Sequence, residues 1–177
     1  LVVGSDGMDF YSLSSFDKSP ERVKVDLQRE IDLWKAGQRE WSEAAPNAKK
    51  RYIPGNHEDR LRRYLWSHPE LGGLEALKLE NLLGFAELGI EWNGGTGSAE
   101  REYDHCEIDL FGKLAIRHGR YVRNFAGGSA RAELEADRYA ISVMTGHTHR
   151  GGTVYAQTRN GIVIGQECFC LCRLDPE

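Results

Sequence analysis

The 177-residue chain lacks long apolar segments, has little excess charge and contains few cysteines. No apolar run approaches the roughly 18 residues of a membrane span, so the sequence predicts no membrane partner. The formal net charge is only −4, which excludes nucleic-acid binding by overall charge and leaves a local basic patch open. Disorder is excluded as well, because 40% of the residues are hydrophobic and 28% are charged, as in ordinary globular proteins.

Three of the four cysteines alternate at Cys168, Cys170 and Cys172, and the fourth is Cys106. Alternation predicts that the three thiols lie on one face of a strand. A C-x-C-x-C pattern lacks the C-x-x-C loop and the second ligand pair of a structural zinc site, so small buried residues are the favoured interpretation. Free thiols suit a reducing compartment, which predicts a cytoplasmic protein.

The length favours one domain over residues 1–177, and the hydrophobic pattern predicts a mixed α/β fold. Short apolar runs predict strands at 1–3, 51–53, 90–92, 108–111, 114–117, 142–145, 153–155, 162–164 and 169–174. Apolar residues spaced by three or four predict helices after residue 20 to about 45 and at 58–66, 74–88 and 130–139. Ser129 is the predicted N-cap of the last helix.

Polar side chains with metal-binding chemistry directly follow several of the predicted strands, which brings ligands to one edge of an α/β sheet. Each signal is weak by itself: His147-Thr148-His149, with Gly146 allowing a turn, would also suit a polar surface loop. Asn and His before a helix are commonly a cap and a solvated side chain, and a lone His is commonly a satisfied polar residue. Together the strand ends offer the mixed N and O donors of a two-metal site. These donors are Asp6, Asn56, His118, His147 and His149.

The order of these motifs resembles that of the calcineurin-like metallophosphoesterases. The motifs are Asp6-x-x-Asp9, Gly55-Asn56-His57-Glu58, His118-Gly119 and Gly146-His147-Thr148-His149. The residues around them are similar to the phage-encoded branch of that family, which implies the cytoplasm of a host cell. The resemblance implies a layered sandwich of two mixed β-sheets flanked by helices, in the order α-β-β-α.

The resemblance also implies two divalent metal ions, of Mn, Fe, Zn or Ni, and a bound water activated as the nucleophile. Asp6 would bridge both ions and His149 would bind the first. The ligands of the second ion would be completed by Asn56, His118 and His147. The implied activity is hydrolysis of a phosphoester, by a phosphodiesterase or nuclease or by a phosphatase.

Two further residues would serve to protonate the leaving group. The resemblance implies that His57 is not a ligand and instead protonates the leaving oxygen. Asp9 would hydrogen-bond His57 and hold its orientation and charge. An imidazolium near the leaving group is a chemically suitable acid for this step.

Arg60 and Arg120 are candidate substrate-binding residues, because guanidinium groups pair well with phosphate oxygens. A solvated helix face with packed side-chain stems explains the same arginines equally well. The implied partner is a phosphoester substrate, with nucleic acid as one candidate. The oligomeric state stays open.

The chain departs from the family pattern at its start. The family begins with D-x-H on an earlier strand, and no such motif precedes Asp6. We therefore expect a chain that begins inside the domain at Leu1, with the second metal site complete and the first incomplete. The alternative is a non-catalytic binding module that keeps the phosphoesterase fold with an incomplete metal site.

Overall fold

The computed structural model describes residues 2–3, 5–18, 20, 26–96 and 98–170. The chain divides into two compact units, Leu1–Tyr103 and Asp104–Glu177, each with its own β-sheet. The mixed α/β class is confirmed, while the single domain over 1–177 and the layered sandwich stay predictions. None of the helices in the described ranges has the length and apolar character needed to span a membrane.

The first unit contains a three-stranded parallel sheet in the order β1-β2-β3. The strands are β1 (Val2–Val3), β2 (Lys50–Tyr52) and β3 (Ile90–Trp92). Parallel pairing brings the carboxyl ends of the strands to the same edge of the sheet. The residues that follow β1 and β2 are those of the first two candidate motifs.

The long predicted helix is confirmed over α1 (Leu27–Ala44), but it begins later than predicted, because Asp26 is extended with ψ 166° and forms the N-cap. The carboxylate of Asp26 caps it by accepting the backbone N–H of Arg29 at 2.8 Å, which satisfies one of the unpaired donors of the first turn. Val23, which the pattern places in the same helix, lies outside the described residues. The second predicted helix is α2 (Asp59–Ser67).

The continuous helix predicted over 74–88 is wrong. That segment forms a 3₁₀ turn at Glu75–Leu77 and two single-turn helices, α3 (Leu79–Leu82) and α4 (Phe85–Leu88). Lys78 is extended with ψ 139°, and Gly84 has a left-handed φ of 70°, so each interrupts the helical backbone. The apolar spacing reflects burial of Leu83 and Phe85 rather than one regular helix.

An aromatic cluster forms much of the core of the first unit. Tyr52 lies beside Trp34, Phe85 and Trp92, with ring centroids 6.0, 5.0 and 6.1 Å away. Tyr52 is fully buried, and its hydroxyl group points toward the loop that follows β1, where it donates to the carboxylate of Glu58. The core therefore reaches directly to the candidate motifs.

The second unit contains a five-stranded mixed sheet in the order β4-β5-β6-β8-β7. Strands β5, β6 and β8 are parallel neighbours, while β4 and β7 pair antiparallel at the two edges. The bounds are β4 (Glu107–Leu110), β5 (Leu114–Arg117), β6 (Ser142–Thr145), β7 (Gly152–Thr158) and β8 (Gly161–Glu167). The predicted hairpin and the predicted strand at 142–145 are both confirmed.

The helix of this unit, α5 (Gly128–Ala136), begins and ends earlier than the sequence predicts. Gly127, with a φ of 75°, occupies the N-cap position. Ser129 is not the cap: it lies inside the helix, and its hydroxyl oxygen accepts the backbone N–H of Arg123 at 3.1 Å. Left-handed backbone at Arg138 and Tyr139 stops the helix before residue 139.

The strand predicted over 169–174 is wrong for its described part. Residues 168–170 are not in a strand, because β8 ends at Glu167 and the Cys168 N–H then donates to the carbonyl of Thr145 at 2.7 Å. Cys172 and the rest of that predicted strand lie outside the described residues. Of the described cysteines, only Cys106 is buried.

Candidate functional site

The loop after β1 holds Asp6 in an uncommon backbone conformation. Asp6 has a φ of 57°, in the left-handed region that non-glycine residues rarely adopt. Its Oδ1 atom accepts the backbone N–H of His57 at 3.0 Å. Strained backbone that persists at a polar residue is a feature of sites where geometry serves function.

Glu58 fastens this loop to the turn after β2. Its Oε2 atom accepts the N–H of Asp6 at 3.2 Å and of Gly55 at 2.7 Å, and its Oε1 atom accepts the N–H of Met8 at 3.0 Å. The Glu58 carboxyl is only 4% exposed, and burial followed by the charge of Asp6 raises its pKa. Glu58 was not predicted to have a role, although Gly55-x-x-Glu58 has the spacing of a capping box, in which the acid reaches back to the first N–H.

His57 and Asp9 form the pair that the sequence predicts. The Nδ1 atom of His57 lies 2.8 Å from Oδ1 of Asp9. Burial lowers the pKa of His57, but the hydrogen bond to Asp9 and the charge of Asp6 raise it by more, so the net shift is upward. The arrangement favours a proton on Nδ1 and stabilises the imidazolium form.

Arg60 lies against this pair. Its Nη1 atom donates to Oδ1 of Asp9 at 2.6 Å and to the backbone carbonyl of Asp9 at 2.7 Å. Its Nη2 atom lies 3.5 Å from Nε2 of His57, and its side chain is 11% exposed. Arg60 therefore orients the His57–Asp9 pair, while contact with substrate stays a prediction.

In the second unit, His118 and His147 lie together. The Nε2 atom of His118 and the Nδ1 atom of His147 are 2.9 Å apart, with the rings edge to face. His118 follows β5 and His147 follows β6, and these parallel strands pair Arg117 opposite Thr145. The register of the two strands thus fixes the separation of the two imidazoles.

The loop after β6 is left-handed at both of its histidines rather than at Gly146. His147 has a φ of 71° and His149 a φ of 58°. The loop is tied down at Thr148, whose backbone N–H donates to the carbonyl of Gly146 at 2.9 Å and whose hydroxyl donates to the buried carboxylate of Glu167. His149 is exposed, two residues beyond His147.

A buried carboxylate also supports the loop that carries His118. Glu133 is fully buried and accepts the backbone N–H of Arg120 at 2.6 Å, the Arg120 Nη2 at 2.7 Å and the Arg117 Nη1 at 3.1 Å. Arg117 and Arg120 flank His118 in the sequence, so Glu133 anchors both sides of this histidine. The Arg120 guanidinium is held by Glu133, and its predicted contact with substrate stays a prediction.

The donor chemistry of both units suits a divalent transition metal. Two imidazole nitrogens bound to one ion, each about 2.1 Å from it, would be about 3.4 Å apart in a tetrahedral site and about 3.0 Å apart at the right angle of an octahedral site. The observed 2.9 Å between His118 and His147 fits the octahedral geometry, and it also fits a hydrogen bond between the rings. In the first unit, the Asp6 carboxylate and the Asn56 amide are oxygen donors of a kind that divalent ions also bind.

The structure brings the predicted residues together in two groups, one in each unit. Asp6, Asp9, His57 and Arg60 meet in the first, with Asn56 preceding His57 on the same turn. The second unit joins His118 with His147 and places His149 on the same loop. Three residues that sequence reasoning missed, Glu58, Glu133 and Glu167, are buried carboxylates that hold these loops.

Comparison with known proteins adds no family assignment. The chain matches no protein-family model, no curated protein and no solved structure. The resemblance to metallophosphoesterases therefore rests on the motifs in the sequence, and the function must be argued from the chemistry of these residues.

Proposed function

We propose that the chain is a metal-dependent phosphoester hydrolase with a dinuclear metal centre. The observation that carries the proposal is the pair of imidazole nitrogens of His118 and His147, 2.9 Å apart at the ends of two parallel strands. Support comes from the His57–Asp9 pair, because a histidine that is oriented by a carboxylate, and whose pKa is raised by it, is suited to donate a proton.

The order of the motifs along the sequence, rather than any arrangement of the two units, is the reason for assigning all five donors to one centre. Asp6 would bridge the two ions, and His149 would bind the first of them. Asn56, His118 and His147 would complete the second. When bound, two such ions would neutralise the phosphate charge and provide an activated water as nucleophile.

The remaining residues have roles that follow from their contacts. Asp9 accepts a hydrogen bond from the Nδ1–H group of His57, which leaves Nε2 as the nitrogen that would face a leaving-group oxygen. Arg60 fixes the Asp9 carboxylate from the other side and brings its Nη2 near the same Nε2. An oxygen approaching Nε2 would therefore meet a proton donor and a fixed positive charge together.

Metal dependence of hydrolysis tests this proposal. The purified chain is treated with a chelator, dialysed and assayed with an aryl phosphate diester and an aryl phosphate monoester, with and without Mn²⁺. We expect no turnover after chelation and turnover after Mn²⁺ is added. Mn²⁺ binding without turnover of either ester would instead favour a non-catalytic binding module.

A further inference from the structure

The first unit contains a cavity of about 560 Å³ beside α2. The apolar part of its lining comes from Leu61 and Leu65 of that helix and from Leu77, Leu79 and Trp92. Its volume falls within the range of about 300–1,000 Å³ that is usual for small-molecule sites. Apolar walls of this kind bury the flat or branched body of a ligand.

This cavity does not include the His57–Asp9–Arg60 group, although Gly55 and Glu58 of the neighbouring turn contribute to its lining. Arg62, Leu65 and Trp66 of α2 line the cavity, whereas Arg60 is bound to Asp9 and is not among its lining residues. Because residues of a helix that lie two apart point to different sides, the two sites use different faces of α2. The inference is thus independent of the proposed hydrolase function.

Aromatic surface is available at the cavity. Trp66 is 55% exposed, and the guanidinium carbon of Arg62 lies 4.3 Å from the centroid of its ring. The indole of Trp92 is fixed by an N–H···O contact of 3.3 Å to the carbonyl of Gly95. Its ring lies so close to Gly94 that a Cβ atom there would be 1.9 Å from it, so the loop requires glycine at that position.

The charge of the lining determines whether the cavity favours a cationic or an anionic ligand. The lining contains four carboxylates, Glu58, Asp59, Glu80 and Glu102, and two cationic side chains, Arg62 and Lys78. Glu58 is buried and accepts backbone N–H groups, and Asp59 is paired with Arg62. Glu80 and Glu102 therefore account for the negative charge that a ligand would meet. Both cations already contact carboxylates, since Arg62 binds Asp59 at 2.9 Å and Lys78 binds the exposed Glu75 at 2.8 Å. The lining therefore repels anions such as phosphate and attracts cations.

We propose that this cavity binds a small organic cation with a flat apolar body, of the class of arylalkylamines. The apolar walls would bury the ring of such a ligand. Its ammonium group would lie near the carboxylates of Glu80 and Glu102 and against the face of the Trp66 indole that the Arg62 guanidinium does not cover, where cation–π attraction and charge act together.

Calorimetric titration with three probes that share an indole ring tests the inference. The probes are tryptamine, which is a cation, neutral indole, and the anion indole-3-acetate. We expect tryptamine to bind in the millimolar range or tighter, and indole-3-acetate to bind at least about tenfold more weakly. Trp66→Ala should weaken tryptamine binding by about tenfold, as loss of a cation–π contact does. Glu80→Gln should reduce the difference in affinity between tryptamine and indole-3-acetate.

Trp41→Ala is the matched control, because Trp41 is an exposed tryptophan on α1 that does not line the cavity. It should bind tryptamine as the unaltered chain does. The inference is overturned if tryptamine does not bind at millimolar concentration, if the three probes bind equally, or if Trp66→Ala and Trp41→Ala have the same effect. Metal content and hydrolysis do not enter this test, so failure of the proposed hydrolase function leaves it unaffected.

Discussion

The Nε2 atom of His118 lies 2.9 Å from the Nδ1 atom of His147, although the two residues are 29 positions apart in the chain. The parallel register of β5 and β6 places the ends of both strands side by side and so creates the pair. His118 is fully buried, so its ring is held by the fold. Two imidazoles fixed in this way are suited to bind one ion with little loss of side-chain entropy.

Removal of one of these rings should weaken metal binding strongly. His147→Ala deletes a proposed ligand. Loss of an outer hydrogen bond to a metal ligand lowers metal affinity by about 10–100-fold, so loss of the ligand itself should lower Mn²⁺ affinity by more than that. Isothermal titration with Mn²⁺ measures the change. His105→Ala, at an exposed histidine of the same unit, is the control and should keep the original affinity. Equal affinities in both variants would remove His147 from the ligand set.

Metal stoichiometry distinguishes the proposed bridging ligand from a terminal one. Asp6→Ala should abolish binding of both ions, because its carboxylate is assigned to each of them. His149→Ala should spare the second ion, whose assigned ligands do not include it. Mass-spectrometric metal analysis after dialysis against Mn²⁺ gives the number of ions per chain. The same loss in both variants would contradict the assignment of Asp6 as the bridge.

Asp9→Asn should slow hydrolysis in a way that depends on the leaving group. The variant removes the negative charge at Nδ1 of His57 and so weakens the proposed acid. General acid catalysis contributes about 10²–10⁴-fold to the rate of such reactions. We therefore expect kcat to fall by about tenfold or more for a phenyl diester. It should fall by less for a p-nitrophenyl diester, because p-nitrophenolate leaves without a proton. Unchanged Mn²⁺ content is the internal control. An equal loss for both esters would argue against proton donation by His57.

Glu133→Ala should destabilise the second unit. The substitution removes one of three carboxylate partners of the buried Arg117 guanidinium and the acceptor of the Arg120 backbone N–H, and a buried donor left without its partner costs about 1–3 kcal/mol. Urea unfolding followed by circular dichroism measures the free energy of unfolding. Glu135→Ala removes an exposed ion pair with Arg131 on the same helix. This control should change the free energy of unfolding by at most about 0.5 kcal/mol. Similar costs would mean that the buried network is not a structural anchor.

Glu58→Gln should loosen the connection between the Asp6 loop and the turn after β2. An amide offers one oxygen where the carboxylate accepts with two, so its NH₂ group would face backbone N–H donors and a buried bond would be lost. The expected cost is about 1–3 kcal/mol of unfolding free energy. Glu70→Gln, at an exposed turn residue, should be neutral in the same urea experiment. No difference between the two variants would show that Glu58 does not anchor this loop.

The sequence was informative where short strands end in polar residues. Apolar runs bounded by glycine correctly predicted β3, the β4–β5 hairpin and β6, because a local change in composition marks the end of a strand. The motifs Gly55-Asn56-His57-Glu58 and Gly146-His147-Thr148-His149 pointed to residues that lie at such ends. Pairing of His57 with Asp9 followed from the resemblance, and the structure places the two in contact.

Features that depend on tertiary packing could not be predicted from the sequence. The segment 74–88 has helical spacing, yet Lys78 and Gly84 break it because the chain must turn to bury Leu83 and Phe85. Glu133 and Glu167 resemble ordinary surface acids in the sequence. Their burial depends on partners distant in the chain, such as Arg117 and Thr148, which no local pattern reveals.

Hydrolysis of an aryl phosphate diester at saturating Mn²⁺, compared between the unaltered chain, His147→Ala and His105→Ala, tests the central claim most directly. The proposed metal centre predicts turnover by the unaltered chain and by His105→Ala, and loss of turnover in His147→Ala. Turnover that survives in His147→Ala, or no turnover in any of the three Mn²⁺-loaded proteins, would contradict it.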